Sequence, residues 1–166
     1  KQAVTTLEAL LASDPDSYYK QETLYRLGNA YFNLGSESYQ NYITASQIFD
    51  DLTNLYPESY LFLDSLMKSA EAKEKADMYY EAIFAYEKVA RLITNETIRK
   101  NAYIRIADIY QTLGQTERSI EARQNFIRLF PKDKDPQIAM IGMLYTSMDN
   151  LDAAYRNFSG LNAGKT

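Results

Sequence analysis

The sequence predicts an all-α fold of stacked helical hairpins, and three observations carry this. Apolar residues recur at three- and four-residue spacing along nearly the whole chain, while strand-type alternation is scarce. Glycine, proline and aspartate interrupt that spacing where helices would have to stop and restart. A short pattern of large, small and aromatic residues also returns along the chain, the mark of a repeat architecture.

The spacing predicts helices over 1–13, 18–34, 41–56, 59–75, 78–94, 97–113, 116–130, 135–147 and 150–160. Gly35 and Gly114 fall where a helix is expected to end with a residue at positive φ. Asp135 is expected as an N-cap, with Pro136 in the first turn that follows. Asp149 and Asp152 offer acidic groups to the start of the last helix.

The helices fall into similar pairs. Leu24, Leu27, Gly28 and Tyr31 set a large residue, an aliphatic, a small residue and an aromatic at steps of three, one and three. Tyr103, Ile106, Ala107 and Tyr110 repeat those steps, as do Ile138, Ile141, Gly142 and Tyr145. A second-helix pattern follows in Ala45, Phe49, Leu52 and Pro57, at steps of four, three and five. Ala3, Leu7, Leu10 and Pro15 match it, and Ser119, Arg123, Phe126 and Pro131 keep the steps with Arg in the first large place. Ala154, Phe158 and Leu161 keep them to the end of the chain. The weakest unit is Leu66, Ser69, Ala70 and Lys73, followed by Ala82, Tyr86 and Val89.

This pattern resembles the tetratricopeptide repeat, a helix–turn–helix unit of about 34 residues. The small residues Gly28, Ala70, Ala107 and Gly142 lie 42, 37 and 35 residues apart, the excess falling in loops. The resemblance covers the whole chain as a single array. It comprises a half repeat (1–17) and repeats over 18–58, 59–96, 97–134 and 135–166. It implies a right-handed superhelical solenoid whose first helices line a concave groove. Each hairpin alone leaves an apolar face open, so stability comes from stacking on neighbours.

Three departures stand out. The turn between Gly35 and Ala45 carries extra residues around Ser36 to Gln40, either a surface insertion or a contact loop anchored by Tyr39. Lys73 and Ser69 replace an aromatic and an aliphatic, so the second repeat is expected to pack less tightly. The chain opens on an unpaired second helix, starts at Lys1, and closes without a polar capping helix. A piece of a longer array is expected, or ends that meet another subunit.

Composition narrows the chemistry. The net charge of −4 and the absence of any Lys/Arg run argue against nucleic acid. The longest apolar stretch, 138–145, is too short to span a bilayer. Histidine and cysteine are absent, which removes the usual neutral-pH base, the thiol nucleophile and the main transition-metal ligands. No catalytic, cofactor or metal site is expected. A carboxylate pair of Glu71 and Asp108 is the nearest to an active site, with no companion base. The ending GLNAGKT lacks the spacing, preceding strand and following helix of a phosphate loop. Acidic turns at Asp14, Asp16, Asp133 and Asp135 lack the glycine and glutamate of a calcium loop. The sequons at Asn95 and Asn157 are read as chance.

What remains is binding. Of the 15 tyrosines, Tyr31, Tyr42, Tyr79, Tyr86, Tyr103, Tyr110 and Tyr145 occupy packing positions. Tyr18, Tyr19, Tyr25, Tyr39, Tyr60, Tyr80 and Tyr155 lie off them and are candidates for contact. One turn from the packing stripe, the resemblance places a partner-binding groove. Its residues would be Tyr25, Asn29, Phe32 and Asn33; Met67, Glu71, Glu74 and Lys75; Ile104, Asp108 and Gln111; and Ala139 and Met143. Tyr25 and Phe32 fall off the packing stripe and are expected to face the partner, unused by the core. The subclass that clamps chaperone C-termini is not matched, since only Asn29 and Arg105 agree among Tyr25, Asn29, Lys68, Asn101 and Arg105. The expected function is a scaffold holding a peptide or partner protein; the alternative is a peptide-sensing domain fused to an effector. The endings Tyr56-Pro57-Glu58-Ser59 and Phe130-Pro131 resemble bacterial cell-envelope members, so a periplasmic or envelope location is expected, with the cytoplasm as the alternative. Self-association through the array ends is also an expectation.

Overall fold

The structure is a computed structural model that describes residues 1–14 and 19–162. Pro15, Asp16, Tyr18 and the Gly164-Lys165-Thr166 ending lie outside the described residues. The described residues form α1 (Gln2–Ser13), α2 (Lys20–Asn33), α3 (Tyr39–Leu55), α4 (Phe62–Lys75), α5 (Tyr79–Leu92), α6 (Glu96–Thr112), α7 (Thr116–Leu129), α8 (Lys134–Ser147) and α9 (Leu151–Asn162). Among these residues there is no strand. Each predicted helix is present. The largest difference in a start lies at α4, because residues 56–61 form a turn: the Phe62 N–H bonds the Ser59 carbonyl, and the Leu61 N–H bonds the Ser59 hydroxyl.

Two compact units make up the chain, Lys1–Ile93 and Thr94–Thr166. In the first, α1 packs on α2, α2 on α3, α3 on α4 and α4 on α5; in the second, α6 packs on α7, α7 on α8 and α8 on α9.

The hairpins close at the small residues that the repeat predicts. A Cβ added at Gly28 would stand 2.8 Å from the Phe49 ring, and one at Gly142 would stand 2.6 Å from the Phe158 ring. Ala70 and Ala107 are buried in the corresponding places, and the Ser119 hydroxyl donates 2.8 Å to the Ala107 carbonyl. So close an approach leaves no room for a larger residue.

Turns and stops recur as well. Asp77, Gly114 and Asp149 hold φ of 57°, 69° and 58° between the two helices of their hairpins. In each turn the next N–H, of Met78, Gln115 or Asn150, reaches back to Lys73, Tyr110 or Tyr145. This is the left-handed cap that ends a helix by satisfying its orphan carbonyls. Asp149 thus ends α8 and does not open α9; the cap of α9 is Asn150, whose Oδ1 accepts from the Ala153 N–H. Gly35 departs from expectation: its φ is not positive, and it opens a short 3₁₀ turn, Gly35–Glu37. Its smallness serves the Tyr42 ring, 2.1 Å from where a Cβ would stand. Asp135 also differs, since α8 starts at Lys134 and puts both Asp135 and Pro136 inside the first turn. At the other ends, Asp14, Tyr56 and Phe130 share nearly one backbone conformation, with φ of −141°, −132° and −131°. Each precedes a proline, which bars its neighbour from helical backbone and stops α1, α3 and α7 alike.

Replacing Gly28 or Gly142 with Leu should lower stability by about 1–3 kcal/mol or more through overpacking against Phe49 or Phe158. A thermal melt unchanged in both variants would contradict this register.

Candidate partner-binding faces

The first unit brings the first helices α2 and α4 side by side. The Tyr25 phenol donates to the Asp64 carboxylate across them. Lys68 Nζ lies 5.1 Å from the centre of the Phe32 ring, and 3.7 Å from Glu71 Oε2 along its own helix. A cation over an aromatic face is an attractive arrangement that fixes both groups. Lys68 and Glu71 keep 30% and 37% of their side-chain surface exposed, so a partner can still reach the pair. Met67 is half-buried beside them.

The expectation that Tyr25 and Phe32 stay out of the core is overturned. Both pack against the buried cluster of Ala45, Phe49 and Ala72. The Tyr25 ring meets Phe49 edge-on at 6.0 Å, and Phe32 meets Tyr42 edge-on at 5.4 Å. The helical stripe is wider than four positions because α2 is covered by α3 on one side and approached by α4 on another. Truncating these rings would therefore remove core packing as well as contact surface.

Asn29 and Asn33 point elsewhere. They line a groove of about 670 Å³ between α1 and α2, with Ala3, Leu7, Arg26 and Ala30 among its walls. Lys75 lines a cavity of about 380 Å³ with residues of the extra turn, Glu37, Tyr39 and Tyr42 among them. Its ammonium stands 5.9 Å from the Tyr42 ring centre. The inserted turn is thus not loose: Glu37 pairs with Lys1 at 2.8 Å, and the Asn41 side chain donates 2.8 Å to the Leu34 carbonyl.

In the second unit Ile104 and Ala139 are half-buried, and Met143 is 58% exposed. Asp108 and Gln111 are both bonded to a buried arginine, while the Asp108 side chain stays 36% exposed and Gln111 is exposed. Arg123, only 2% exposed, directs one terminal nitrogen to Asp108 Oδ1 at 2.6 Å and to Gln111 Oε1 at 3.2 Å. Its other terminal nitrogen donates 2.8 Å to Gln137, so one guanidinium ties α6, α7 and α8 together. Arg fits this place because its planar fork can serve several acceptors at once. Asp133 is likewise taken, by Lys100 at 2.7 Å, and that contact helps hold the ammonium's pKa above its ordinary value.

The second repeat also differs from expectation. Ser69 and Lys73 do not loosen it, because both turn onto α3. Lys73 Nζ lies 2.7 and 2.9 Å from the two Asp50 oxygens, and the Ser69 hydroxyl donates 2.5 Å to Asp50. Next to it Tyr86 is buried, and its phenol donates 2.8 Å to Glu74. Burial first, and then the Glu71 carboxylate, push that phenol's pKa well above its ordinary value.

Apart from Tyr25, which packs on the core, the described tyrosines of the two predicted groups divide as the spacing predicts. Tyr31, Tyr42, Tyr79, Tyr103, Tyr110 and Tyr145 are half-buried and Tyr86 is buried, while Tyr19, Tyr39, Tyr60, Tyr80 and Tyr155 are exposed. Spacing alone missed the exposed Phe84 on α5, 65% exposed and one turn from Tyr80. Among the described residues no cluster of carboxylates could hold a metal ion, and no helix is long and apolar enough to cross a membrane.

Hairpins with these turns, stops and small-residue contacts define an α-helical repeat array, and comparison with known proteins finds repeat models that match two stretches of it. Tetratricopeptide repeat models match residues 22–59 and 101–133. The chain carries tetratricopeptide repeats, a fold that builds scaffolds for protein partners. Against curated proteins the sequence finds no match. Solved structures share the fold. A crystal structure of MamA is 22% identical, with 96% of this chain and 85% of that one covered at a TM-score of 0.66. MamA from Desulfovibrio magneticus RS-1, residue 41 to the end, is 22% identical, with 99% and 86% covered at 0.63. The TPR-like repeats of a Podosopora anserina kinesin-light-chain candidate are 17% identical, with 98% and 85% covered at 0.66.

Asp108→Ala leaves the Arg123 guanidinium buried without its carboxylate and should destabilise the chain by about 2 kcal/mol or more. Arg123→Met, which restores an apolar residue at that step of the repeat, should cost less. Denaturant titrations rank the two variants, and the opposite order would contradict the role assigned to Arg123.

Proposed function

We propose that this chain is a protein-interaction scaffold that holds a peptide segment or a partner protein on the first-helix face of α2 and α4. One observation carries the reading: Phe32 and Tyr25 are fixed from behind by α3, while Lys68 and Glu71 flank them with surface still open to solvent. Aromatic groups already held in place lose little freedom on binding, and paired opposite charges at the rim can select orientation. A short extended or helical segment suits such a face, using apolar contact at Phe32 and Met67 and polar contact at Lys68 and Glu71. Within the second unit, Ile104 and Met143 offer further apolar surface. A periplasmic or cell-envelope setting suits this reading, on the strength of the Tyr56-Pro57-Glu58-Ser59 ending and the absence of cysteine.

A photo-crosslinking amino acid placed singly at Met67 or Glu71 should capture partner polypeptide in the native cell extract. The same group at Glu87 or Glu121, exposed on the second helices α5 and α7, should capture little. Equal capture from both sets, or capture only from the second helices, would move the binding surface off this face.

A further inference from the structure

Two lysines of α4 carry charge that the fold leaves without a close counter-ion. Lys68 and Lys75 stand nearly two turns apart, so they lie almost in line and about 10 Å from each other along the helix. Each sits over an aromatic ring of another helix, Lys68 over Phe32 of α2 at 5.1 Å and Lys75 over Tyr42 of α3 at 5.9 Å. Those rings pack edge-on at 5.4 Å, which makes one aromatic platform under both cations. A ring attracts an ammonium but leaves its N–H donors open to an acceptor. Among the described residues Lys75 makes no ion pair or hydrogen bond, and it is exposed. Lys68 meets only Glu71, at 3.7 Å, beyond hydrogen-bond reach. The other carboxylates around the face are taken: Asp64 by Tyr25, Glu22 by Arg26 and Tyr60, Glu74 by Tyr86, and Glu37 by Lys1. The row along α4 therefore reads cation, carboxylate, cation, with one cation in excess. It is no open end of a stack, because α3 and α5 already pack on α4 and α2 reaches it through Tyr25.

We propose, on the reading that the α2/α4 face holds a partner, that its occupant is an acidic helical segment of a partner protein. The segment binds through two internal carboxylates two turns apart, one on Lys68 and one on Lys75. Between them it carries a basic or neutral residue, since Glu71 would repel a third carboxylate. A helix laid along α4 shares its rise of about 1.5 Å per residue, so the three charges meet rung for rung. The carboxylate on Lys75 also reaches the cavity of about 380 Å³ that this lysine shares with Ser36, Ser38 and Tyr39. Their hydroxyls add donors beside the ammonium. Lysines already seated on rings lose less freedom on binding than lysines loose in solvent. The chain's net charge of −4 opposes an acidic partner at long range. The attraction is therefore local, within a screening length of about 10 Å, and the spacing of the carboxylates decides what binds.

The probe is a fluorescently labelled alanine–leucine helix with two Glu two turns apart and a Lys between them. Its C-terminus is amidated, so only internal carboxylates can bind. Titrated onto the intact chain and followed by anisotropy, it should bind about tenfold or more tightly than a helix of the same composition with its Glu on opposite sides. A charge-swapped helix, with Lys at both places and Glu between, should not bind. Lys75→Glu should abolish binding of the acidic probe. Lys68→Met, which keeps a long stem on Phe32 without the charge, should weaken it about fivefold or more with the melt unmoved. A photo-crosslinking group at Met67 reports whether the probe lies on this face. Crosslinks there from the swapped or rearranged helix at equal affinity would keep the face as a binding surface and overturn its preference for acid. Absence of crosslinks at Met67 from every peptide would overturn both the preference and the face. A dimer in sedimentation that Lys75→Glu dissolves would give the face to a second copy, and a crosslink from Met67 into the same polypeptide would make the occupant intramolecular; either overturns the partner.

Discussion

First and second helices meet at one small residue, and the depth of that contact sets the geometry of everything around it. Where Gly28 faces Phe49, the ring fills the space a side chain would take, and Phe49 becomes fully buried. The buried ring then supplies the floor on which Tyr25 and Phe32 rest, so both aromatics depend on the glycine behind them. Gly142 and Phe158 make the same contact near the end of the second unit. Interiors packed at this density transmit such a change directly to their neighbours. A repeat array holds its shape through nearest-neighbour contacts of this kind, not through one central core.

Between hairpins the chemistry varies while the positions do not. A tyrosine–glutamate bond joins α2 to α1, and a lysine–serine–aspartate cluster joins α4 to α3. In the second unit a buried arginine spans three helices. Each solution satisfies polar groups that would otherwise be stranded under neighbouring helices. The Arg123 Nε is the exception, buried without a hydrogen-bond partner. Polar seams of this sort add less stability than apolar packing, but they fix one register of stacking, because a slipped helix would leave charges unpaired.

The fold was legible because the repeat is written in steric terms. Small residues, aromatic spacing and prolines each act on their immediate surroundings, so spacing along the chain translates into contacts. The positive-φ turns were half legible: Gly114 announces itself, whereas Asp77 and Asp149 hold the same conformation without glycine. Aspartate tolerates that region better than most residues, which hides the turn in a polar stretch. The site was less legible. Asp108 and Gln111 lie off the packing stripe of α6, yet an arginine 15 and 12 residues away turns both to structural use. Tyr25 and Phe32 lie off the stripe of α2, yet a helix from the next repeat brings them partly into the core. Spacing within one helix describes one wall at a time, and these residues stand where two walls meet.

The dependence of the first unit on helix approach is measured most directly by a double-mutant cycle between Gly28 and Phe49. Gly28→Ala alone should destabilise, since its Cβ would stand 2.8 Å from the Phe49 ring. Phe49→Leu alone should also destabilise, by emptying part of the core. Together they should lose clearly less than the sum, because the shorter side chain makes room for the methyl group. Strictly additive losses would contradict the account, since they would mean that the glycine and the ring do not share the space on which the hairpin is built.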